Sequence, residues 1–306
     1  MLNPPLSLLS DYLINYIVDH VARLPFPCPN LCNLSITDRA FTSFCQTYIF
    51  KDLYLGYKSG SKNSIIKKLA KIGNILNDNP SFANRVRTVH LTVKHEENKW
   101  LFTDPTFITI IQLLAKSLMP PYKLHLKGQS RSFIIEDPIF VVERLMQSFF
   151  SQTLTVLVLD DCKNVPLTLF LVCPKLREVY LDDVEVLKRY DEYPDTQCSG
   201  RELPALERLN YRKSESLVKQ MITPPPKFST AVVVWSKLRV LKLCPQEKGD
   251  MACLQPILDA ACNTLEELYL TYPRVIWGKM WSFLSIWHEF DRFLNKNNPV
   301  SLASWT

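Results

Sequence analysis

A short pattern recurs along this chain: an apolar residue, two others, an apolar residue, one other, and a final apolar residue. The clearest copies are Leu154-Thr-Val-Leu157-Val-Leu159, Leu176-Arg-Glu-Val179-Tyr-Leu181, Leu238-Arg-Val-Leu241-Lys-Leu243 and Leu265-Glu-Glu-Leu268-Tyr-Leu270. Leu206-Glu-Arg-Leu209-Asn-Tyr211 and Val86-Arg-Thr-Val89-His-Leu91 also follow it, and Tyr122-Lys-Leu124-His-Leu126 keeps its last part. The closing alternation suits a short strand with two side chains pointing inward. The first apolar residue then packs where the chain turns in from the previous connection. Strands of this kind stack into a parallel sheet whose connections return along the other side. The expected fold is therefore α/β: a short, irregular leucine-rich-repeat-like solenoid over residues 86–271.

Measured at the last apolar position, the copies fall at 91, 126, 159, 181, 211, 243 and 270, so the spacings are 35, 33, 22, 30, 32 and 27. Leucine-rich repeats usually run to about 20–29 residues, so most of these units are stretched. The shortest connection, Asn164–Pro174, is apolar and predicts one or two helical turns. Glu185–Pro204 and Arg212–Trp235 read as inserted loops, the second because Pro224-Pro225-Pro226 cannot sit inside a helix. An ordinary α/β domain with seven unrelated strands is the alternative, since the pattern also arises by chance in leucine-rich chains.

Helical periodicity appears between and beside these copies. Ile65, Leu69, Ile72 and Leu76 line one helix face, with Lys67, Lys68 and Lys71 on the solvated side. Phe107–Leu118 and Ile139–Phe150 predict further helices. Trp277, Met280, Trp281, Leu284, Trp287, Phe290 and Leu294 predict a closing helix over Ile276–Asn295 that caps the last copy. Near the N-terminus, Leu9, Leu13, Ile14, Ile17, Val18 and Val21 form an apolar stripe. A proline-rich loop, Leu24–Asn30, follows it. A second helical stretch holds Leu31, Leu34, Ile36 and Phe41, and a third runs toward Tyr48–Leu55. The expected division is a three-helix segment at 1–55, the solenoid at 56–275, and a capping helix and tail at 276–306.

Composition narrows the function classes. Of 306 residues, 47% are hydrophobic and 22% charged, which excludes a disordered or fibrous chain. No run of about 18 apolar residues predicts a membrane helix, and no secretory signal is visible. The nine cysteines are odd in number, irregular in spacing and without a Cys-x-x-Cys pair. They read as reduced, mostly buried thiols of a cytoplasmic or nuclear protein. The net charge of +6 is modest, and acidic segments interrupt the basic ones, which disfavours nucleic acid. Seven glycines and no phosphate-binding loop weigh against nucleotide enzymes.

Catalytic and metal chemistry finds no constellation here. His90 and His95 are five apart, so they make no zinc-binding pair on a helix. Pro29 intervenes between Cys28 and Cys32. Asp160-Asp161 and Asp182-Asp183 recur after successive strands, where aspartate serves turn chemistry better than acid–base work. No Gly-x-Ser-x-Gly elbow occurs. Neither a catalytic residue, a metal site nor a cofactor is expected, and the chain reads as a binding protein.

Leu13-Ile-Asn-Tyr-Ile-Val-Asp-His-Val21, Leu31-Cys-Asn-Leu-Ser-Ile-Thr-Asp-Arg-Ala-Phe41 and Gln46-Thr-Tyr-Ile-Phe-Lys-Asp-Leu-Tyr-Leu55 resemble successive parts of an F-box. Asn77–Leu91 and Leu154–Val184 are similar to the irregular repeats that follow it in fungal-type F-box proteins. The Leu-Pro that usually opens the first helix falls at Leu9-Ser10, and the small residue usual in the second falls at Leu34. The resemblance implies a substrate receptor of a cullin-based ubiquitin ligase. Its F-box-like segment would bind a Skp-type adaptor through Leu9, Leu13, Ile14, Ile17, Val18, Val21, Leu31, Leu34 and Ile36. The same side chains could instead seal the helices together. Outward strand positions on the concave face would then hold the protein substrate: His90, Thr92, His125, Lys127, Val158, Asp160, Tyr180, Asp182, Asn210, Arg212, Lys242, Tyr269 and Thr271. A repeat scaffold without ligase coupling is the alternative. RNA binding through the lysine-rich 58–71 segment is a third class, and it rests on charge alone.

Overall fold

The computed structural model of the chain describes residues 9–56, 62–94, 98–129, 133–135, 141–187, 202–226, 228, 231–244 and 253–271. It is an α/β protein with a parallel sheet. Two compact units form. One comprises Met1–His90 and Thr103–Pro121, and the other Leu91–Phe102 and Tyr122–Thr306. The division falls inside a strand, between His90 and Leu91, and the first unit takes in the fourth and sixth helices along with the N-terminal ones.

In the first unit, α1 (Asp11–Ala22), α2 (Pro27–Thr37) and α3 (Arg39–Ile49) precede β1 (Asp52–Gly56). Ser10 occupies the position before α1, and its hydroxyl accepts the Leu13 N–H at 3.4 Å. Asp38 caps α3 by accepting the Ala40 N–H at 2.8 Å. The stretch Pro27-Cys-Pro-Asn30 is the first turn of α2 and not part of a loop. A helix's first N–H groups have no internal partner, so a proline there loses nothing. Phe26, in the left-handed region at φ 56°, turns the chain into it.

The helix predicted from Ile65 is α4 (Lys62–Asp78); Ile65, Leu69 and Leu76 are buried, and Lys67 and Lys71 face solvent. A 3-10 turn at Pro80–Arg85 leads into β2 (Thr88–Lys94). The helix α5 (Asn98–Thr103) follows β2, and α6 (Pro105–Ala115), capped by Asp104, packs on α4. Gly73 sits at that approach, where a Cβ would stand 3.3 Å from the Thr106 methyl.

In the second unit the sheet passes from the end of β2 to β3 (Lys123–Gln129), β5 (Val156–Val165), β6 (Glu178–Val186), β7 (Arg208–Arg212), β8 (Val240–Cys244) and β9 (Glu267–Leu270). A short β4 (Phe133–Ile134), with no signal in the sequence pattern, pairs with the far part of β5. From β3 to β9 the pairs are parallel and the repeated residues align. Leu124, Leu157, Val179, Leu209, Leu241 and Leu268 form one row. Leu126, Leu159, Leu181, Tyr211 and Leu243 form the next, two residues on. All of these are buried.

One backbone device repeats with them. The Tyr122 carbonyl accepts the N–H groups of Thr155 and Val156 at 2.8 and 3.1 Å. Thr155 does the same for Arg177 and Glu178, Arg177 for Glu207 and Arg208, Glu207 for Arg239 and Val240, and Arg239 for Glu266 and Glu267. Each copy thus enters the sheet with two of its amides already satisfied by the copy before it.

Returning segments cover the buried rows. They include α7 (Val141–Phe150), wound as a wide π-type helix with Val141, Val142, Leu145, Met146 and Phe150 buried, and the single turn α8 (Thr168–Leu171). They also include α9 (Glu215–Ile222) and α10 (Leu254–Ala261). The stretch Arg212–Trp235 is therefore partly helical rather than a loop. Leu217, Val218 and Met221 of α9 are buried, and the helix stops at Thr223, just before the three prolines. Most of the Glu185–Pro204 connection and all of the tryptophan-rich Ile276–Asn295 stretch lie outside the described residues.

Candidate functional site: an outward face of the parallel sheet

Because side chains alternate along a strand, burying the leucine rows fixes what the opposite face presents. One outward row reads His125, Val158, Tyr180, Asn210, Lys242 and Tyr269 from β3 to β9. The next reads Lys127, Asp160, Asp182, Arg212 and Cys244. A groove of about 390 Å³ runs over this surface, lined by His125, Val158, Asp160, Tyr180, Asp182, Asn210, Arg212, Lys242 and Thr271 among the expected residues.

Cys244, Leu159 and Leu181 complete the lining and were not expected. The two-residue step that selects Arg212 after Asn210 also selects Cys244 after Lys242, so that signal was present. Lys127 and Tyr269 lie on the same rows beyond the lining. Thr92 is half-buried on β2. His90 belongs to the other unit. There it stacks on Tyr54 with ring centroids 4.3 Å apart, and its Nε2 lies 3.5 Å from Asp52 Oδ1.

Charge on the groove is largely paired across strands. The Arg212 guanidinium grips Asp182 with two nitrogens, Nε at 2.7 Å from Oδ1 and Nη2 on Oδ2. That hydrogen bond to Asp182 raises the Arg212 pKa. The Lys127 ammonium donates to Asp160, and His125 Nε2 lies 4.0 Å from the same carboxylate. Tyr180 donates its hydroxyl to Glu178 at 2.8 Å, and Tyr269 donates to Glu267 at the same distance. Burial, with the Glu178 bond behind it, pushes the Tyr180 phenol up to about 12. The Glu267 bond raises Tyr269. Both rings are thus anchored by a carboxylate two residues earlier on their own strand.

A backbone bend within β5 and β6 falls on the second of the paired acids, and the matching bend stands just past the end of β7. Asp161 and Asp183 take the left-handed conformation at φ 56° and 54°, and Lys213 takes it at 49°. Each follows an outward residue of the aligned row: Asp160, Asp182 and Arg212. Aspartate tolerates this region because its short side chain bonds locally. Asp183 also receives the Lys163 ammonium at 3.0 Å, which Glu185 shares at 2.6 Å. The aspartate pairs are turn and pairing residues in this geometry.

The N-terminal candidates divide by burial. Ile14, Val18 and Leu31 are core, together with Phe41 and Cys45, so these three hold the helices together and cannot present a surface to a partner. Leu9, Ile17, Val21 and Leu34 are partly buried against that core. Leu13 and Ile36 are exposed, Ile36 at 83%. Tyr12 at 77%, Tyr16 at 64% and Phe26 at 83% join them, none of which the apolar stripe singled out.

Among the described residues, Cys45, Cys162, Cys173 and Cys253 are buried, Cys244 is half-buried, and Cys28, Cys32 and Cys262 are exposed. All eight are free thiols. No group of three or more potential metal ligands occurs among the described residues. No helix among them is long and apolar enough to cross a membrane. In comparisons with known proteins, no protein-family model matches this chain, and no curated protein matches it.

Proposed function

We propose that this chain is an F-box-type substrate receptor of a cullin-based ubiquitin ligase, with the second unit acting as a short, irregular leucine-rich-repeat-like solenoid. The N-terminal helices dock on a Skp-type adaptor, and the outward sheet face holds the protein to be ubiquitinated. The receptor makes and breaks no bond itself. It raises the effective concentration of the target near a transferase bound elsewhere in the assembly.

The observation that carries this reading is the apolar surface left on a helical segment whose own core is small. Tyr12, Leu13, Tyr16, Phe26 and Ile36 are exposed beside a core whose fully buried members, among the described residues, are Ile14, Val18, Leu31, Phe41 and Cys45. Five exposed apolar residues on so short a helical segment suit a protein interface. The repeated register of the sheet supports the solenoid half of the reading.

Pull-down with purified Skp-type adaptor tests it. The chain is expected to capture the adaptor, and Tyr16→Glu or Ile36→Glu to abolish capture while leaving the circular dichroism spectrum unchanged. These positions are exposed, so their substitution spares the core. No capture, or capture that survives both substitutions, would sink the ligase reading and leave a repeat scaffold without ligase coupling.

A further inference from the structure

The outward face holds an arrangement that its internal pairings do not use. Tyr180, Asn210, Lys242 and Tyr269 are successive register partners on β6, β7, β8 and β9. Neighbouring strands lie about 4.8 Å apart, so the four positions span about 14 Å. The two tyrosines bracket the row, each ring anchored through its hydroxyl by Glu178 or Glu267. Between them stand an amide and an ammonium, both on the groove lining. Neither the Asn210 nor the Lys242 side chain has a hydrogen-bond or ion-pair partner among the described residues.

The charges select the ligand. Asp160 is answered by Lys127, and Asp182 by Arg212. Lys242 is the cation left over on this lining. An ammonium is a compact point charge that seeks one anionic group. A side-chain amide offers a donor and an acceptor together, which matches the N–H and C=O of an extended peptide. Aromatic faces on either side suit flanking side chains. A phosphate would bring nearly two negative charges beside Asp160 and Asp182, whereas a carboxylate brings one.

We infer that this face binds an extended peptide segment through an aspartate or glutamate, whose carboxylate pairs with Lys242 while Asn210 bonds the adjoining backbone. The inference rests on the sheet face being the target-binding surface of the proposed receptor. Tyr180 and Tyr269 set where flanking side chains lie. The target is thus recognised by an acidic residue in a stretch of chain that can be drawn out straight.

The test uses the full chain and a library of end-blocked short peptides with random flanks and a fixed central residue. That residue is Asp, Glu, Asn, Gln, Lys or phosphoserine. The wild-type chain is expected to enrich central Asp or Glu over Asn or Gln by about ten-fold, the effect of one charge-assisted hydrogen bond. Lys242→Glu is expected to reverse the preference toward central Lys. Asn210→Ala should weaken all peptides without changing their ranking. Lys242 is exposed, so its substitution leaves the fold intact, and circular dichroism checks this.

The inference is overturned if the wild-type chain shows no acidic preference, if the preference survives Lys242→Glu, or if phosphoserine outranks both carboxylates. Adaptor capture is measured on the same preparations. Capture without an acidic preference removes this inference and keeps the ligase reading. An acidic preference without capture does the reverse.

Discussion

The hydroxyl oxygen of Ser214 stands 3.0 Å from the backbone nitrogen of Val184, on the neighbouring strand, and accepts its N–H. The same hydroxyl donates to the Arg212 carbonyl at 2.8 Å, and Ser214 is 1% exposed. In register terms Ser214 occupies the place that Cys162 and Val184 hold on β5 and β6, two residues past the last paired outward position. There β6 continues beyond the five-residue core of the pattern while β7 stops. The serine side chain supplies the acceptor that a longer β7 would have given.

Ser214→Ala should therefore leave the Val184 N–H buried and unpaired. A group left in that state costs about 1–3 kcal/mol. Chemical denaturation followed by circular dichroism is expected to show a lower midpoint with an unchanged slope. An unchanged midpoint would mean that the amide finds another acceptor.

Asp52 gives the first unit an acid-sensitive contact. The hydrogen bond from His90 holds its carboxyl below the usual carboxylate range, against the opposing effect of burial, with a further bond from Thr88. A carboxylate made more acidic by folding adds stability above its unfolded value, about 3.9, and gives it up as the pH falls through the lower folded value. The Asp52 side chain is 42% exposed, so solvent screening keeps the contribution under about 1 kcal/mol. Thermal melts of wild type and Asp52→Asn are expected to differ near neutral pH and to converge in acid, as the pH falls through the lowered folded value. A difference that persisted into stronger acid would point away from the carboxylate charge.

These contacts show which parts of the molecule could be seen in the chain itself. The buried rows were legible because the pattern that makes a strand also decides which residues leave water: Leu157, Val179, Leu209 and Leu241 align as their spacing requires. Most of the outward groove followed by alternation alone, from His125 to Thr271. The pairings on it did not. That Arg212 meets Asp182 depends on the offset between strands joined by a long connection, and only the sheet fixes that offset. Proline hid the first turn of one helix and the whole of another. Pro27 and Pro29 look like a loop until they are placed in a first turn, and the proline run after Thr223 masks the buried Leu217, Val218 and Met221 just before it. On α1 the apolar stripe is wider than the buried face, so spacing alone did not separate Ile14 and Val18, which are core, from Leu13, which is not.

The thiols should divide sharply in reactivity. Burial pushes Cys173 up to about 12, and does the same for Cys162. The nucleophile is the thiolate, so neither reacts at neutral pH while the fold holds. Iodoacetamide treatment of the native chain, read by peptide mass spectrometry, is expected to modify the exposed Cys28 and Cys262 and to spare Cys162 and Cys173. Both spared thiols should label once the chain is unfolded. Native labelling of Cys173 would mean that the connection through α8 opens readily.

Lys213 holds the third of three equivalent turns, and it is the poorly matched one. At Asp161 and Asp183 the left-handed conformation falls on a residue type that tolerates it, whereas a lysine there pays the crowding of its Cβ against the following carbonyl. That crowding costs about 1–2 kcal/mol, and a glycine would give back roughly half of the gain as extra freedom in the unfolded chain. Lys213 is exposed, and no ion pair ties its side chain down among the described residues. Lys213→Gly is therefore expected to raise stability by about 0.5–1 kcal/mol. Asp183→Gly should bring no such gain, because it also removes a partner of Lys163. Parallel urea titrations of the two variants separate backbone strain from side-chain pairing. Equal effects at both positions would show that strain at Lys213 is not what limits this turn.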